Sequence, residues 1–336
     1  MSIIFSEGSG LNDSVFGKVQ APVRMFLEKR DEEFEKNSCL KDPFKMGKSD
    51  NFGDLFATMT AMDGFEPVGE NGAYPSDSMQ EGYSKLLVYE TFKDSFAISQ
   101  EIIEDGKLMN LDQKPQQFIA AYHRTRENFG ASIYGHALQG KTQMKFGKAG
   151  KVFDITSADG LAQFHTAHPS KVGKAAQSNK FADAFSLDAL DRMEEKMQLF
   201  KGDNGEQLSV APDTIVIPLD AELRRKVFAA IGSTDNPLDA THAFNYQYGR
   251  WTVICNPYLN QFLASGAKPW MLMDSKYNET YGGAVWNDRI PLTVKSVIDD
   301  NDANRWKGRA RFGATFNDWR FCAAGGMTGG TQLVTG

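Results

Sequence analysis

Residues 84–99 read SKLLVYETFKDSFAIS. Tyr89, Thr91 and Phe92 favour β structure, and Phe96 and Ile98 alternate with small polar residues, which is the period of a strand. A second strand is predicted at 55–62, LFATMTAM. Between them lies DGFEPVGENGAYPSDSMQEGY, broken by Gly64, Gly69, Gly72 and Gly82 with Pro67 and Pro75. Two strands flanking so long a polar tip predict an extended hairpin. An isolated two-stranded hairpin is marginal in water. A long one implies that something outside the subunit packs against it.

The helical period is strongest in QKPQQFIAAYHRTRENFGASIYGHAL, residues 113–138. Phe118, Tyr122, Phe129, Ile133 and Ala137 fall near helical spacing on one face, and Pro115 suits the first turn. Such a helix would span about 40 Å at roughly 1.5 Å per residue. Earlier, PVRMFLEKRDEEFEKN at 22–37 predicts a helix opened by Pro22, its mixed charges marking a solvated or interface-covering face. Residues 1–17 show no period and read as an extended arm.

A loop-rich stretch is expected over 140–180. A helix at 187–200 follows, with Ser186 as its N-cap and Leu187, Leu190, Met193 and Met197 on one side. Thr214–Ile217 reads as a buried strand ended by Pro218, and 219–231 as a helix closed by Gly232. Further strands are predicted at 250–255, 270–273, 292–298, 305–312 and 315–322, the last pair preceded by a polar DDNDAN turn. No repeat of fixed period appears. The order of hairpin, long helix, then interleaved helices and short strands gives an α+β class.

The 336 residues suffice for two or three packed modules, and 24 Phe and 10 Tyr promise a well-filled core. A net charge of −6 excludes a basic nucleic-acid binder in bulk. No run of eighteen apolar residues predicts a membrane span, and MSIIFSEGSG lacks the pattern of a signal peptide. Cys39, Cys255 and Cys322 are odd in number and far apart, which suits a reducing compartment rather than a disulfide framework.

Candidate chemistry begins with Gly135–Thr142, GHALQGKT, which fits the phosphate-loop pattern G-x-x-x-x-G-K-[ST]. A working phosphate loop follows a strand and opens a helix, whose N-terminal N–H groups hold the anion. Here Gly135 lies on the last turns of the predicted helix, and Gly140 stands where a C-cap glycine belongs, followed by Lys141 at the negative end of the dipole. Asp220, after TIVIPL, is the available Mg²⁺ ligand, but Pro218 interrupts the unit. His165 and His168, in FHTAH, are candidate zinc ligands without a third ligand at the usual spacing. His123 and His136 fall on different faces of the long helix. Asp299, Asp300 and Asp302 lack the glycine and terminal glutamate of an EF-hand. No catalytic, cofactor-binding or metal residues are therefore assigned, and no enzyme activity is expected.

The order of elements resembles that of tailed-bacteriophage major capsid proteins with the Hong Kong 97-type fold, and more narrowly the major head subunit of Mu-like phages (the T protein). FKDSFAISQEIIEDG resembles the strand returning from the extended loop, and PQQFIAAYHRTRENFGASIYGHAL the spine helix. DGLAQFHTAHPS and the run from NKFADAFSLDAL to RRKVFAAI are similar to the family's passage from peripheral to axial domain. WTVICNPYLN with KPWMLMDS resembles the axial strands, and RARFGATFNDWRFCAAG the closing strands. The resemblance covers about residues 50–325.

It implies an N-terminal arm (1–50), an extended hairpin loop (51–105), a peripheral domain (106–212 and 292–336) and an axial domain (213–291). It implies a virion protein, assembled in the host cytoplasm into pentamers and hexamers of an icosahedral shell. Portal and separate scaffolding proteins, a decoration protein and packaged double-stranded DNA at the inner wall are the implied partners. Under it, His165 and His168 become packing residues. A cell-encoded cargo shell of the same fold, an NTPase using 135–142 and a zinc protein using the two histidines remain the rival readings.

Overall fold

Helix and strand begin earlier in the chain than its periodicity suggests. The computed structural model describes residues 4–6, 15–59, 81–99, 108–234, 244–298 and 303–333, with 65, 67–70, 72–74, 76 and 101. Strand β1 (Ile4–Ser6) precedes helix α1 (Val15–Lys36), so Pro22 sits inside the helix and not at its start. Strands β2 (Lys45–Lys48) and β3 (Gly53–Met59) follow. The run 84–99 is two strands, β4 (Glu81–Val88) and β5 (Glu90–Ile98), divided at Tyr89. β4 pairs with β3, whereas β5 joins a different sheet. Of the tip residues, 60–64, 66, 71, 75 and 77–80 lie outside the described residues.

Helix α2 (Leu108–Ala137) runs for 30 residues, about 45 Å at roughly 1.5 Å per residue. It starts five residues ahead of the sequence-based boundary, which leaves Pro115 inside it. Hairpin β6 (Gln143–Phe146) and β7 (Lys151–Asp154) occupies part of the expected loop region. Helix α3 (Leu187–Gln198) is capped as predicted, the Ser186 side chain accepting from the Ala189 N–H. β8 (Thr214–Pro218), α4 (Ala221–Ile231), β9 (Thr252–Asn256) and β10 (Trp270–Met273) fall close to their predicted places. α5 (Ser275–Tyr281) leads into β11 (Ala284–Ile298) and β12 (Asn304–Phe316). The predicted strand 305–312 thus runs on to Phe316, most of the predicted strand 315–322 is not strand, and β13 (Cys322–Gly325) follows in another sheet. Asp299, Asp300 and Asp302 lie outside the described residues.

Two sheets organise the mixed α+β chain. The first places β11 between β12 and the parallel strands β1 and β2, with β5 at the other edge beyond β12. Its inner face carries Trp286, Trp306 and Phe312 against α2, with Phe92 stacked on Phe312 at 4.2 Å and Phe96 on Trp306 at 5.1 Å. The second sheet runs β13-β10-β8-β9 and is buried on both faces. That is why TIVIP and WMLM read as unbroken apolar runs. Ile215, Ile217 and Leu272 meet α3 and α4, while Val216, Met271 and Met273 join the cluster around the end of α2. α2 therefore ties both sheets into one body, and α1 is fastened to it by His123 Nε2 at 2.7 Å from Asp31.

Candidate functional site

The phosphate-loop match is a helix end. The Lys141 N–H donates to the His136 carbonyl and the Gly140 N–H to that of Ala137, the two bonds of a Schellman cap. Gly140 has φ of +71°, which glycine adopts freely. Gly135 is wedged against Phe262, where a Cβ would come within 2.5 Å of the Phe262 Cβ. Carbonyls, not N–H groups, point out of this terminus, and Lys141 leads into β6. The segment offers phosphate no cradle. Asp220 is likewise a helix cap, accepting from the Leu223 N–H at 2.8 Å, with Lys268 drawing its carboxylate below the ordinary value after that bond.

The histidine pair belongs to a packed knot. His168 is buried, with Nδ1 at 2.6 Å from Asp159 Oδ2 and Nε2 at 3.1 Å from Asn179 Oδ1, so both ring nitrogens are occupied. Its ring stacks on Trp319 at 4.4 Å. Asn179 accepts from the His165 N–H and donates to the carbonyls of Gln163, Trp319 and Cys322. Burial raises the Asp159 carboxyl, but hydrogen bonds from His168 and Ser157 outweigh it and hold the group below its usual value. The knot thus stitches the 157–181 loops to the last strand. Among the described residues, no group of three His, Cys, Asp or Glu is placed to hold a metal. His123 and His136 are also engaged, with Asp31 and with the Ser132 carbonyl.

His168→Ala is therefore expected to cost about 3 kcal/mol, because it leaves the buried Asp159 carboxylate without its partner. Urea unfolding measures this, and added zinc should leave the wild-type midpoint unchanged. A loss below about 1 kcal/mol would contradict the structural role.

The surface that stands out is the β3–β4 hairpin. Its inner face is anchored: Lys85 Nζ lies 2.5 Å from Asp154 and 2.6 Å from Thr156, and Lys171 Nζ donates to the Gly82 carbonyl at 2.6 Å. At its base the Tyr89 hydroxyl donates to Asp54, which also accepts from Ser49, Asn51 and Asn287. Burial works to raise the Asp54 carboxyl, yet these bonds bring it below its ordinary value. The outer face is apolar. Leu55 and Leu86 stand directly opposite one another and are 67% and 58% exposed, with Val88 beside them at 40%. A half-solvated antiparallel pair usually turns its polar side chains to water. Here Leu55, Leu86 and Val88 take that place, and Phe52, Phe65 and Tyr74 are exposed as well. Such a patch marks an interaction site.

The comparisons decide what kind. The family described as phage capsid protein matches residues 89–325, the greater part of the chain. The chain belongs to that family.

The capsid protein is thus a structural major capsid protein, and its place is in the virion, where it assembles with copies of itself into a shell. It is similar in fold to a chain from Mycobacterium phage Adephagia, at 15% identity over 89% of this chain and 91% of that one, with a TM-score of 0.48. The capsid of Ralstonia phage GP4 gives 14% identity, 86% and 90% coverage and 0.46. A virus-like particle from Pyrococcus furiosus gives 9%, 90% and 97% and 0.46. No curated protein sequence matches the chain. Among the described residues, no helix is long and apolar enough to cross a membrane.

The hairpin was legible in the sequence, from strand period and the length of the polar insertion, although of the predicted strand 84–99 only the part up to Val88 belongs to it. The knot around His168 was not legible, because its partners Asp159, Asn179 and Trp319 come from loops without a period.

Proposed function

We propose that this capsid protein is a major head subunit with the Hong Kong 97-type fold, akin to the Mu-like head subunit. It builds an icosahedral shell of pentamers and hexamers around double-stranded DNA, assembling in the host cytoplasm with separate scaffolding and portal proteins. The division into arm (1–50), hairpin loop (51–105), peripheral domain (106–212 and 292–336) and axial domain (213–291) belongs to the same reading. One observation carries it: the anchored hairpin turns its apolar face away from its own subunit. Heterologous contacts of that kind, repeated around rings, close a shell. Bonds to Asp154, Thr156, Lys171 and Asn287 hold the stem and give the hairpin a base from which to reach a neighbour.

Leu86→Asp tests the reading. The side chain is exposed, so folding stability should change by no more than about 0.5 kcal/mol. A charge buried in the contact with the neighbour should instead prevent assembly, leaving folded capsomer-sized or smaller species on size exclusion. Shells formed at the wild-type yield would contradict it.

A further inference from the structure

We infer that the joint between α1 and α2 is a proton-operated latch, in which Glu127 takes up a proton as α1 closes over it. The inference stands apart from the reading of the hairpin. It concerns how firmly the first helix is held to its own subunit.

Glu127 stands on α2 with only 8% of its surface exposed. Its Oε1 accepts from the Ser38 hydroxyl at 2.5 Å. Its Oε2 is buried with no hydrogen-bond partner among the described residues. A buried acceptor left alone is costly, and a buried charge more so. Ser38 belongs to the turn that leaves α1, and its hydroxyl also accepts from the Leu40 N–H. The end of α1 is thus folded down onto this carboxyl. Glu127 borders a cavity of about 40 Å³, which Asp31 and Glu35 of α1 line from the other side. The joint therefore gathers three carboxyl groups around one small space.

The basic neighbours of Glu127 on α2 are already taken. His123 is engaged by Asp31 at 2.7 Å, and Arg126 by Asp288 of β11 through two bonds. From the turn, Lys41 lines the cavity at an exposed position, and Cys39 and Asp42 lie close by. Tyr258, just after β9, faces Glu127 with Arg124 near it. In this setting burial raises the Glu127 carboxyl above its ordinary value of 4.5, against the bonds from Ser38 and the Cys39 backbone and the charges of Arg126 and His123. When α1 lifts, water reaches the group and that rise is lost. The closed joint thus holds a proton more tightly than the open one, and proton uptake favours closure. The advantage is complete below about pH 4.5 and is lost as pH rises through the raised value. Acid grips α1, and alkaline solution loosens it.

Hydrogen exchange of the full chain tests this, read over residues 25–36 at about pH 5 and about pH 8 and corrected for the intrinsic pH dependence of amide exchange. Opening of α1 should be about tenfold more frequent at the higher pH for each unit by which burial raises the carboxyl. Glu127→Gln keeps an acceptor for Ser38 without the charge. It should hold α1 at the higher pH as firmly as the wild type is held at the lower. Ser38→Ala removes a bond that favours the carboxylate, so it should move the change to higher pH. Strand β10, remote in the second sheet, should show neither effect. An α1 that opens equally at both pH values would overturn the inference. So would a Glu127→Gln chain that keeps the wild-type pH dependence, or a Ser38→Ala chain whose change stays at the wild-type pH. Loosening of β10 in step with α1 would make the effect global and overturn the latch as well.

Discussion

Replacing residues 60–80 by an Asn-Gly turn is expected to abolish shells and leave a folded subunit. Met59 and Glu81 stand opposite one another, so a two-residue turn can close the stem without changing its register. The stem keeps its own anchors, Lys85 with Asp154 and Thr156, and Asp54 with Tyr89. Among the described residues of the removed segment, Phe65, Val68 and Tyr74 are exposed and none joins either hydrophobic cluster, so folding is expected to lose little. What is removed includes Phe65 and Tyr74, both exposed on the subunit, and on the proposed reading it is the part that meets a neighbour. A contact repeated at every subunit leaves no route to a closed shell when it is missing from all of them. Size exclusion and negative-stain microscopy decide the matter: free subunits or capsomers with a native unfolding transition are predicted. Intact shells from this variant would contradict the assembly role.

The second large effect is on stability. Arg126 of α2 holds Asp288 of β11 with two bonds, Nη1 to Oδ1 at 2.6 Å and Nη2 to Oδ2 at 3.1 Å. Both residues are buried, the guanidinium lies 5.0 Å from the Trp286 ring centre, and the Tyr122 hydroxyl accepts at 3.1 Å. Burial, with Asp288 acting in the same direction, pushes the Tyr122 hydroxyl up to about 12 although Arg126 opposes it. Arg126→Ala or Asp288→Ala leaves one unpaired charge in this apolar setting and should cost about 3–5 kcal/mol. The pair Arg126→Met with Asp288→Leu should recover most of that loss, because it removes both charges together. Urea unfolding followed by tryptophan fluorescence, to which Trp286 reports directly, measures each variant. Single-variant losses below about 1 kcal/mol would show that the pair is not what fastens α2 to the sheet.

Strands buried on both faces, and helices with a clear cap, could be read from the sequence. Trp270–Met273 and the Ser186-capped helix are examples, since an apolar run or an apolar stripe is a local property. The same holds for the end of α2, where Gly140 and Lys141 already had the order of a helix stop. β11 shows why the rest could not be read. Its first half, AVWNDRIP, contains Asn287, Asp288 and Pro291, which look like strand breakers. Asp288 is tolerated because Arg126 reaches it from residues far away in sequence, and Pro291 because the register slips between Ile290 and Thr293. α1 runs through Pro22 and lies against α2, so packing overrides the local signal. The long 305–322 run ends as a strand at Phe316, where the Asn317 N–H turns to the Gly283 carbonyl.

The measurement that bears most directly on the account is electron microscopy of the purified wild-type chain, expressed alone and with a scaffolding protein. Closed or partial shells built from five- and six-membered rings are predicted, and their edges should show each hairpin crossing to the adjacent subunit. A small monodisperse species under every condition, with no rings, would contradict it.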